Sequence, residues 1–460
     1  MHTIDLDLVE MTLDVMKFAI GRITNTSPPL GFPRSADELQ AAVGDTITPA
    51  GIGGEVAFKL FREVLLPASV SVDHPRHLAF VPASPTRAAV MFDLVTSAAS
   101  VHGAFWLEGA GCIFAEMQVM RWMVGLTGLP DGAFGVFTSG GTEANLSAMV
   151  TAREAWRAKD SARAHVRGLV IAADSAHSSI HAMAKVIDVD VRFVPVDDRF
   201  EAAHVEAALA ALAPEDRART FAVIATGGTT NAGVIDELTG LGRVCAREGL
   251  WFHVDAAYGG GALAAPSARP AFAGIEQADS ITIDPHKWLF SPYDCGAVIY
   301  RRPELARAAH AQEGSYLDIF SDPAMTGFNP SDYQIQLTRR VRGLPLWFSL
   351  AMHGTDRYAQ AIERGLELAR IAARLIEAHP HTELVRPPMI KLARCRDLKR
   401  TARKVIASPR SSPATGRASQ RHNPSAKAFM NSQTCPYTDP GLISVMASSG
   451  VRDVISPRVS

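Results

Sequence analysis

The sequence contains little cysteine, and what it has is scattered. Its 460 residues include five cysteines, at Cys112, Cys245, Cys295, Cys395 and Cys435. No two of them form a C-x-x-C pair, and none belongs to a cluster with histidine. An odd number of isolated cysteines argues against a disulfide framework and against a zinc site, so we predict no bound metal. This usage is typical of proteins in a reducing cytoplasm.

The sequence also lacks long apolar runs and a large net charge. No run approaches the roughly 20 apolar residues that a membrane-spanning helix needs. The start, M-H-T-I-D-L-D-L-V-E, lacks the basic and apolar regions of a secretory signal. The formal net charge of −1 gives no general attraction to nucleic acid or to anionic membranes. We therefore expect a cytoplasmic protein that binds neither nucleic acid nor a membrane.

Alternating strand and helix patterns fill the middle of the chain from residue 135 onward. Most strand patterns are continuous apolar runs, which is typical of strands covered by helices on both faces. The predicted strands are 135–139, 168–174, 191–196, 221–226, 250–255, 280–284 and 297–301, and helices between them include 142–157, 178–188, 201–212 and 236–248. This order predicts an α/β fold, an α/β/α sandwich around one mostly parallel, seven-stranded sheet.

Four regions with different patterns divide the chain. Residues 1–85 predict an N-terminal arm that is helical at its start and extended over 26–54, and residues 86–311 predict the large α/β domain. Residues 312–389 predict a loop followed by helices. Residues 390–460 hold roughly 13 Lys and Arg against about 3 Asp and Glu, with many Ser and Pro and no sustained periodicity. We expect this atypical basic tail to be disordered or poorly packed.

The stretch S-I-T-I-D-P-H-K-W, residues 280–288, carries the strongest chemical signal. A short β-branched run ends at Pro285, which cannot donate a ladder hydrogen bond. Lys287 therefore follows a strand end, where α/β folds place their ligands. A desolvated lysine there can lose its charge and attack a carbonyl carbon. A single lysine after a strand is more often simply exposed, so this interpretation depends on its surroundings.

Three other strand ends supply those surroundings. The strand in W-F-H-V-D-A-A-Y-G, residues 251–259, ends at Asp255. T-S-G-G-T-E-A-N, residues 138–145, predicts a strand, a glycine turn and a helix start, which together offer amides and a helix dipole to a phosphate. It lacks the lysine of a nucleoside-triphosphate P-loop. D-S-A-H-S-S-I, residues 174–180, places His177 after another strand. Each feature alone has a structural interpretation, such as a helix N-cap or a turn-capping carboxylate.

Taken together, these motifs resemble the group II pyridoxal-phosphate (PLP) decarboxylases, the family of aromatic L-amino-acid, glutamate and diaminobutyrate decarboxylases. The resemblance covers roughly residues 25–378, and the combined motifs are much more specific than any one of them. It implies the aspartate-aminotransferase-like fold of PLP-dependent transferases and pyridoxal 5'-phosphate as the cofactor. It also implies a homodimer with the active site at the subunit interface. The implied reaction converts an L-amino acid to its amine and CO₂.

The resemblance implies roles for residues around the cofactor ring. Lys287 would form the Schiff base (aldimine) with PLP. Asp255 would keep the pyridine nitrogen protonated, so that the ring can accept electrons. His177 would stack on the ring, Ala257 would pack against one of its faces, and Thr230 would lie beside it.

The resemblance also implies contacts to the phosphate and to the substrate. The phosphate would be held by Gly141, Thr142 and His286. Tyr316, in a mobile loop, would return a proton to the α-carbon, unless it only packs on the partner subunit. Phe80 and Pro82 would line the substrate pocket, unless their segment is an ordinary loop. Asp284 stands where some family members carry Asn, which leaves its contact with the cofactor open.

Two alternatives remain at this stage. One is a different PLP reaction, such as transamination or carbon–carbon lysis. The H-K-W context and the lack of a recognisable C-terminal arginine clamp favour decarboxylation. The other is a PLP-binding homologue made inactive by its altered C-terminus. The substrate stays open, since an apolar pocket discriminates by only about 1–3 kcal/mol per methylene-sized change.

Overall fold

Two β-sheets organise the protein, whose computed structural model describes residues 4–75, 77, 80–81, 83–312 and 327–390, and the backbone of 392–397 and 442–446. The larger sheet has seven strands in the order β1-β7-β6-β5-β4-β2-β3. These are β1 Phe134–Thr138, β2 Leu169–Ala173, β3 Asp190–Val194, β4 Thr220–Thr226, β5 Trp251–Asp255, β6 Ser280–Ile283 and β7 Gly296–Tyr300. Strand β7 runs antiparallel to β1 and β6, and the other neighbours are parallel. The predicted mostly parallel seven-stranded sheet is confirmed.

Helices cover both faces of this sheet. The described helices are α1 Leu6–Thr24, α2 Ala36–Val43, α3 Gly54–Leu60, α4 Arg87–Ala99, α5 Trp106–Thr127, α6 Gly141–Arg157, α7 Ser179–Val186, α8 Ala202–Ala211, α9 Pro214–Ala218, α10 Leu238–Glu248, α11 Pro303–His310, α12 Leu344–His353 and α13 Thr355–Ala378. Among them, no helix combines the length and the apolarity needed to cross a bilayer.

Alternate residues of the strands point into two separate cores. On β5, Phe252 and Val254 join the core that includes α10, and Trp251 joins the core that includes α6. Because side chains alternate along a strand, His253 and Asp255 also lie on the α6 side. The sheet is thus the middle layer of an α/β/α sandwich, as predicted, and α6 lies over the face that carries polar residues.

The N-terminal region contains a helix that the sequence did not predict. Helix α2 lies inside 26–54, which we expected to be extended. A capping box starts it: the Ser35 hydroxyl accepts a hydrogen bond from the Glu38 amide, and the Glu38 carboxylate accepts one from the Ser35 amide. This Ser-x-x-Glu signal is a helix start that outweighs the surrounding Pro and Gly.

A smaller sheet lies near the C-terminus. It is antiparallel, with β9 (Leu392–Asp397) between β8 (Thr382–Arg386) and β10 (Leu442–Met446). Strands β9 and β10 fall within the tail that we expected to be disordered or poorly packed, and their backbone pairs in this sheet. Their pairing is long-range: about 45 residues separate β9 from β10. Such a partner is invisible to a local periodicity search.

Candidate active site

A cavity of about 350 Å³ opens at the carboxyl ends of the parallel strands, beside the N-terminus of α6. The eight residues that the sequence assigned to the cofactor all line it: Gly141, Thr142, His177, Thr230, Asp255, Ala257, His286 and Lys287. Asp255 is buried in its floor, whereas Thr142, His177 and Thr230 are exposed at its mouth. This volume falls in the usual range for small-molecule sites.

Lys287 is held near the cavity floor by the turn that follows β6. Its backbone amide donates to the Asp284 carbonyl at 3.0 Å, and its Nζ lies 3.0 Å from Asp284 Oδ2. The two side chains are 16% and 3% exposed, so the pair is shielded from water. Asp284 Oδ1 has no hydrogen-bond partner among the described residues. Asp284 thus pairs with the amine through a single oxygen.

Asp255 presents an oriented carboxylate at the end of β5. Its Oδ1 accepts from the backbone amide of Ala257 at 3.1 Å, and its Oδ2 accepts from Asn145 Nδ2 at 2.8 Å. Hydrogen bonds donated to a carboxylate favour its charged form. The residue is 6% exposed, so its charge acts in a medium that screens it weakly.

The two histidines of the cavity have their ring orientation set by backbone donors. The Ser179 amide donates to His177 Nδ1, and the Cys295 amide donates to His286 Nδ1, both at 3.1 Å. Each neutral ring therefore carries its proton on Nε2. Burial lowers the pKa of His286, while the nearby Asp284 carboxylate acts in the opposite direction.

The glycine turn before α6 is built by close packing. A Cβ on Gly141 would lie 2.8 Å from Ala257 Cβ and 3.0 Å from Asp284 Oδ2. On β7, a Cβ on Gly296 would meet Gly140 Cα at 2.5 Å. These glycines let the turn lie directly on the sheet edge. The first amides of α6 have no partner within the helix and can bind an anion.

These features match the reactive groups of PLP. A buried amine corresponds to its aldehyde, a buried carboxylate to its pyridine nitrogen, and a helix N-terminus to its phosphate. A Cβ on Gly141 or on Gly296 would collide with the neighbouring backbone or side chains, so these two positions need glycine for the turn to form. Fold and cavity together define a PLP-dependent enzyme of the aspartate-aminotransferase-like class.

Comparison with known proteins gives the family. The pyridoxal-dependent decarboxylase conserved domain matches residues 57–394. The aromatic-L-amino-acid decarboxylase of Bacillus atrophaeus is 31% identical over 370 residues, which cover 79% of this chain and 76% of that protein. The L-2,4-diaminobutyrate decarboxylase of Acinetobacter baumannii is 30% identical, with 77% and 73% covered. Histidine decarboxylase of Mus musculus is 31% identical, and the match spans about half of that protein, 51%.

Solved structures agree with this result. Oryza sativa TDC, solved with PLP and tryptamine, superposes with a TM-score of 0.79 at 25% identity, covering 86% of this chain and 84% of that one. The chain belongs to the pyridoxal-dependent decarboxylase family. It is a PLP-dependent amino-acid decarboxylase, so the predicted family, fold, cofactor and reaction are confirmed.

Three predicted residues lie away from this cavity or outside the described part of the chain. Phe80 does not line the cavity, and it is 74% exposed with a φ of 62°. Pro82 and Tyr316 lie outside the described residues. Their roles in binding substrate and in returning a proton stay predictions.

The sequence interpretation missed the polar residues beneath the cavity, chiefly Asn145 and His253. A signal was present. In H-V-D and in S-I-T-I-D, polar residues alternate with apolar ones, which places His253 with Asp255, and Ser280 with Thr282, on one face of the sheet. Both strands had instead been interpreted as continuous apolar runs.

Proposed function

We propose that the decarboxylase carries PLP on Lys287, with the pyridine nitrogen at Asp255 and the phosphate at the start of α6. The observation that supports this assignment is that all eight expected cofactor residues line one cavity. Bound PLP supplies an electron sink for breaking the bond between the α-carbon and the carboxylate. The remaining tasks fall to side chains of this protein.

Lys287 and Asp284 handle the first proton. The amine must lose a proton before it can bond to a carbonyl carbon. Asp284 Oδ2, 3.0 Å from Nζ, is the described carboxylate oxygen within reach of that proton. Asp255 would keep a proton on the pyridine nitrogen, because its buried charge would stabilise the cationic form of the ring.

The other lining residues position and shield the cofactor. Gly141, Thr142 and the Nε2–H of His286 would hold the phosphate through donated hydrogen bonds. His177, oriented by the Ser179 amide, would cover the ring, and Ala257 would pack against it. On family resemblance we retain Tyr316 as the donor to the α-carbon, and we place Phe80 and Pro82 in the substrate pocket.

We also propose a homodimer that completes the site. Helix α1 buries none of its residues, and apolar side chains such as Leu6, Leu13 and Ile47 are 79%, 54% and 97% exposed. A monomer rarely exposes so much apolar surface without a partner for it. The exposed Phe80 and the open cavity mouth fit a site that a second subunit closes. Light scattering coupled to gel filtration tests this proposal, and a monomer at micromolar concentration would contradict it.

A cytoplasmic location is a further part of the proposal. Its support is the isolated cysteines, which suit a reducing compartment. Cell fractionation with antibody detection tests it.

The function is tested by a panel of L-amino acids assayed for both CO₂ and amine. The names of the relatives suggest that the panel should include aromatic, imidazole and diamino side chains. We expect equal amounts of amine and CO₂ from at least one of them, and neither product from Lys287→Ala. Keto acid formed without CO₂, or bound cofactor without turnover of any amino acid, would contradict the proposal.

A further inference from the structure

Asn145 uses every hydrogen-bonding position of its side chain at the base of the cavity. Its Nδ2 donates to Asp255 Oδ2 at 2.8 Å and to Ser179 Oγ at 3.2 Å. Its Oδ1 accepts from Thr282 Oγ1 at 2.7 Å and lies 3.0 Å from His253 Nε2. Asn145, His253 and Thr282 are at most 1% exposed. One amide therefore joins α6, α7, β5 and β6 directly behind the carboxylate of Asp255.

The hydrogen bonds continue away from the cavity. His253 Nδ1 lies 2.8 Å from Ser280 Oγ, and Trp251 Nε1 donates to the same hydroxyl at 2.8 Å. Strands β5 and β6 pair in register here, with His253 opposite Ser280. We refer to Asn145, His253, Ser280 and Trp251 as the Asn145 network.

The direction of each bond in the network can be assigned. A carboxylate only accepts, so the amide group of Asn145 turns its NH₂ towards Asp255 and its oxygen towards His253. His253 must then donate from Nε2 and accept at Nδ1. The Ser280 hydroxyl, which accepts from Trp251, supplies that proton. Every donor points the same way, from Trp251 through Ser280 and His253 to Asn145 and finally to Asp255.

We propose that the Asn145 network fixes the protonation state of the cofactor ring, by holding Asp255 in its charged form so that the shared proton stays on the pyridine nitrogen. This inference rests on the proposed function, which pairs Asp255 with that nitrogen. Asn145 and His253 are positioning residues in this account, since they act through Asp255 and touch no reacting atom.

The physical reason lies in how two basic atoms share one proton. An N–H bond to Asp255 stabilises its anion and so moves the proton towards the ring nitrogen. Aligned hydrogen bonds polarise one another, so each donor in the series strengthens the next. A merely structural role would satisfy the same buried polar groups but would not change where the proton lies.

The experiment uses holoenzyme loaded with PLP that carries ¹⁵N in the pyridine ring. Its ¹⁵N chemical shift separates a protonated from an unprotonated ring. Wild type should show the protonated form. Asn145→Leu, similar in size but without a donor, should shift towards the unprotonated form and bind PLP about 10- to 100-fold more weakly. The control Ser147→Ala, also on α6 and buried, removes a hydroxyl that has no partner among the described residues and should match wild type.

A pair of His253 variants provides the second measurement and decides the matter if Asn145→Leu does not fold. Gln can place an amide donor near the position of Nε2, and Leu cannot. His253→Gln should keep the wild-type shift, whereas His253→Leu should move towards that of Asn145→Leu. If both His253 variants keep the wild-type shift, the network is only structural and the inference is wrong. If wild type itself shows an unprotonated ring, the proposed pairing of Asp255 with the ring fails first.

Discussion

Two sets of polar residues meet at the ends of β5 and β6. One set forms motifs that can be recognised in the sequence, and the other does not. The first set faces the cavity and includes Lys287 and Asp255. The other, the Asn145 network, runs from Asn145 at the cavity base into the sheet, with no access to solvent at His253 or Ser280. Residues that touch a ligand follow strand ends and form recognisable motifs. Residues that orient them lie inside strands, where they look like interruptions of an apolar run. The comparison suggests that reactivity resides in the first set and its tuning in the second.

The cavity set should show the largest effect. Lys287→Ala removes the nucleophilic amine, so decarboxylation should fall on the order of a thousandfold or more. Amine formation from the best substrate measures this. Lys185→Ala, an exposed lysine on α7, is the matched control and should retain full activity. Comparable losses in both variants would show that the assignment of Lys287 is wrong.

Removing the negative charge of Asp255 should have a smaller but still large effect on catalysis. Asp255→Asn keeps the shape and loses the anion, so the ring nitrogen is no longer held cationic. We expect kcat to fall by about a hundredfold, a magnitude typical of losing one electrostatic stabiliser. Asp279→Asn changes a carboxylate that accepts from the Phe252 amide at the opposite end of the same strands. If turnover falls equally in both variants, the charge at Asp255 has no specific role in catalysis.

The close packing of the glycine turn on the sheet should have an intermediate effect. In Gly296→Ala the new Cβ would meet the backbone of Gly140, which cannot yield as a flexible side chain can. We expect about tenfold weaker PLP binding and a destabilisation of about 1–3 kcal/mol. Cofactor titration and urea unfolding measure the two quantities. Gly125→Ala, in α5 with nothing within 4 Å of its Cβ, should leave PLP binding unchanged and raise stability by about 0.5–1 kcal/mol, because Ala is the better helix former. If Gly296→Ala binds PLP as tightly as wild type does, this packing does not support the cofactor site.

The last prediction concerns the acid stability of the apoprotein, a property separate from turnover and cofactor binding. Burial lowers the pKa of His253 to about 4 from an ordinary 6.5, although the charge of Asp255 opposes the shift. The folded state therefore prefers the neutral ring, and this contribution is complete above pH 6.5. It is lost as pH falls towards 4, by on the order of 3 kcal/mol in total.

Urea unfolding at several pH values between 7 and 4 checks this prediction. Burial also lowers the pKa of His286 and His310, so wild type should lose more stability than His253 alone explains. The difference between wild type and His253→Gln isolates the contribution of His253. Parallel pH profiles for the two proteins would contradict it.

The sequence predicted the large sheet well because each strand is covered by helices on both faces. Strands such as β4 (T-F-A-V-I-A-T) are apolar between their terminal threonines and stand out locally. Strand β10 did not, since the strand it pairs with, β9, lies about 45 residues earlier in the chain. Strand β9 (L-A-R-C-R-D) did not, because half of its residues are charged. Helix α2 was not predicted, because the Pro and Gly residues around it were given more weight than its capping box.

The same distinction holds within the site. Lys287, Asp255 and His177 belong to motifs with a chemical reason for their spacing. Asn145 is the last residue of the predicted phosphate motif, but the sequence assigns it no role, because its partners lie 34 to 137 residues away along the chain. Contacts of that range depend on the register of β5 and β6, which no single motif encodes.

The central claim is that Lys287 and Asp255 hold one cofactor in one cavity. Borohydride reduction of the PLP-loaded protein, followed by digestion and mass spectrometry, tests it most directly. The account predicts a single pyridoxyl adduct, on the peptide that contains Lys287, and a yield that falls in Asp255→Asn. An adduct on another lysine, or a yield indifferent to Asp255, would contradict it.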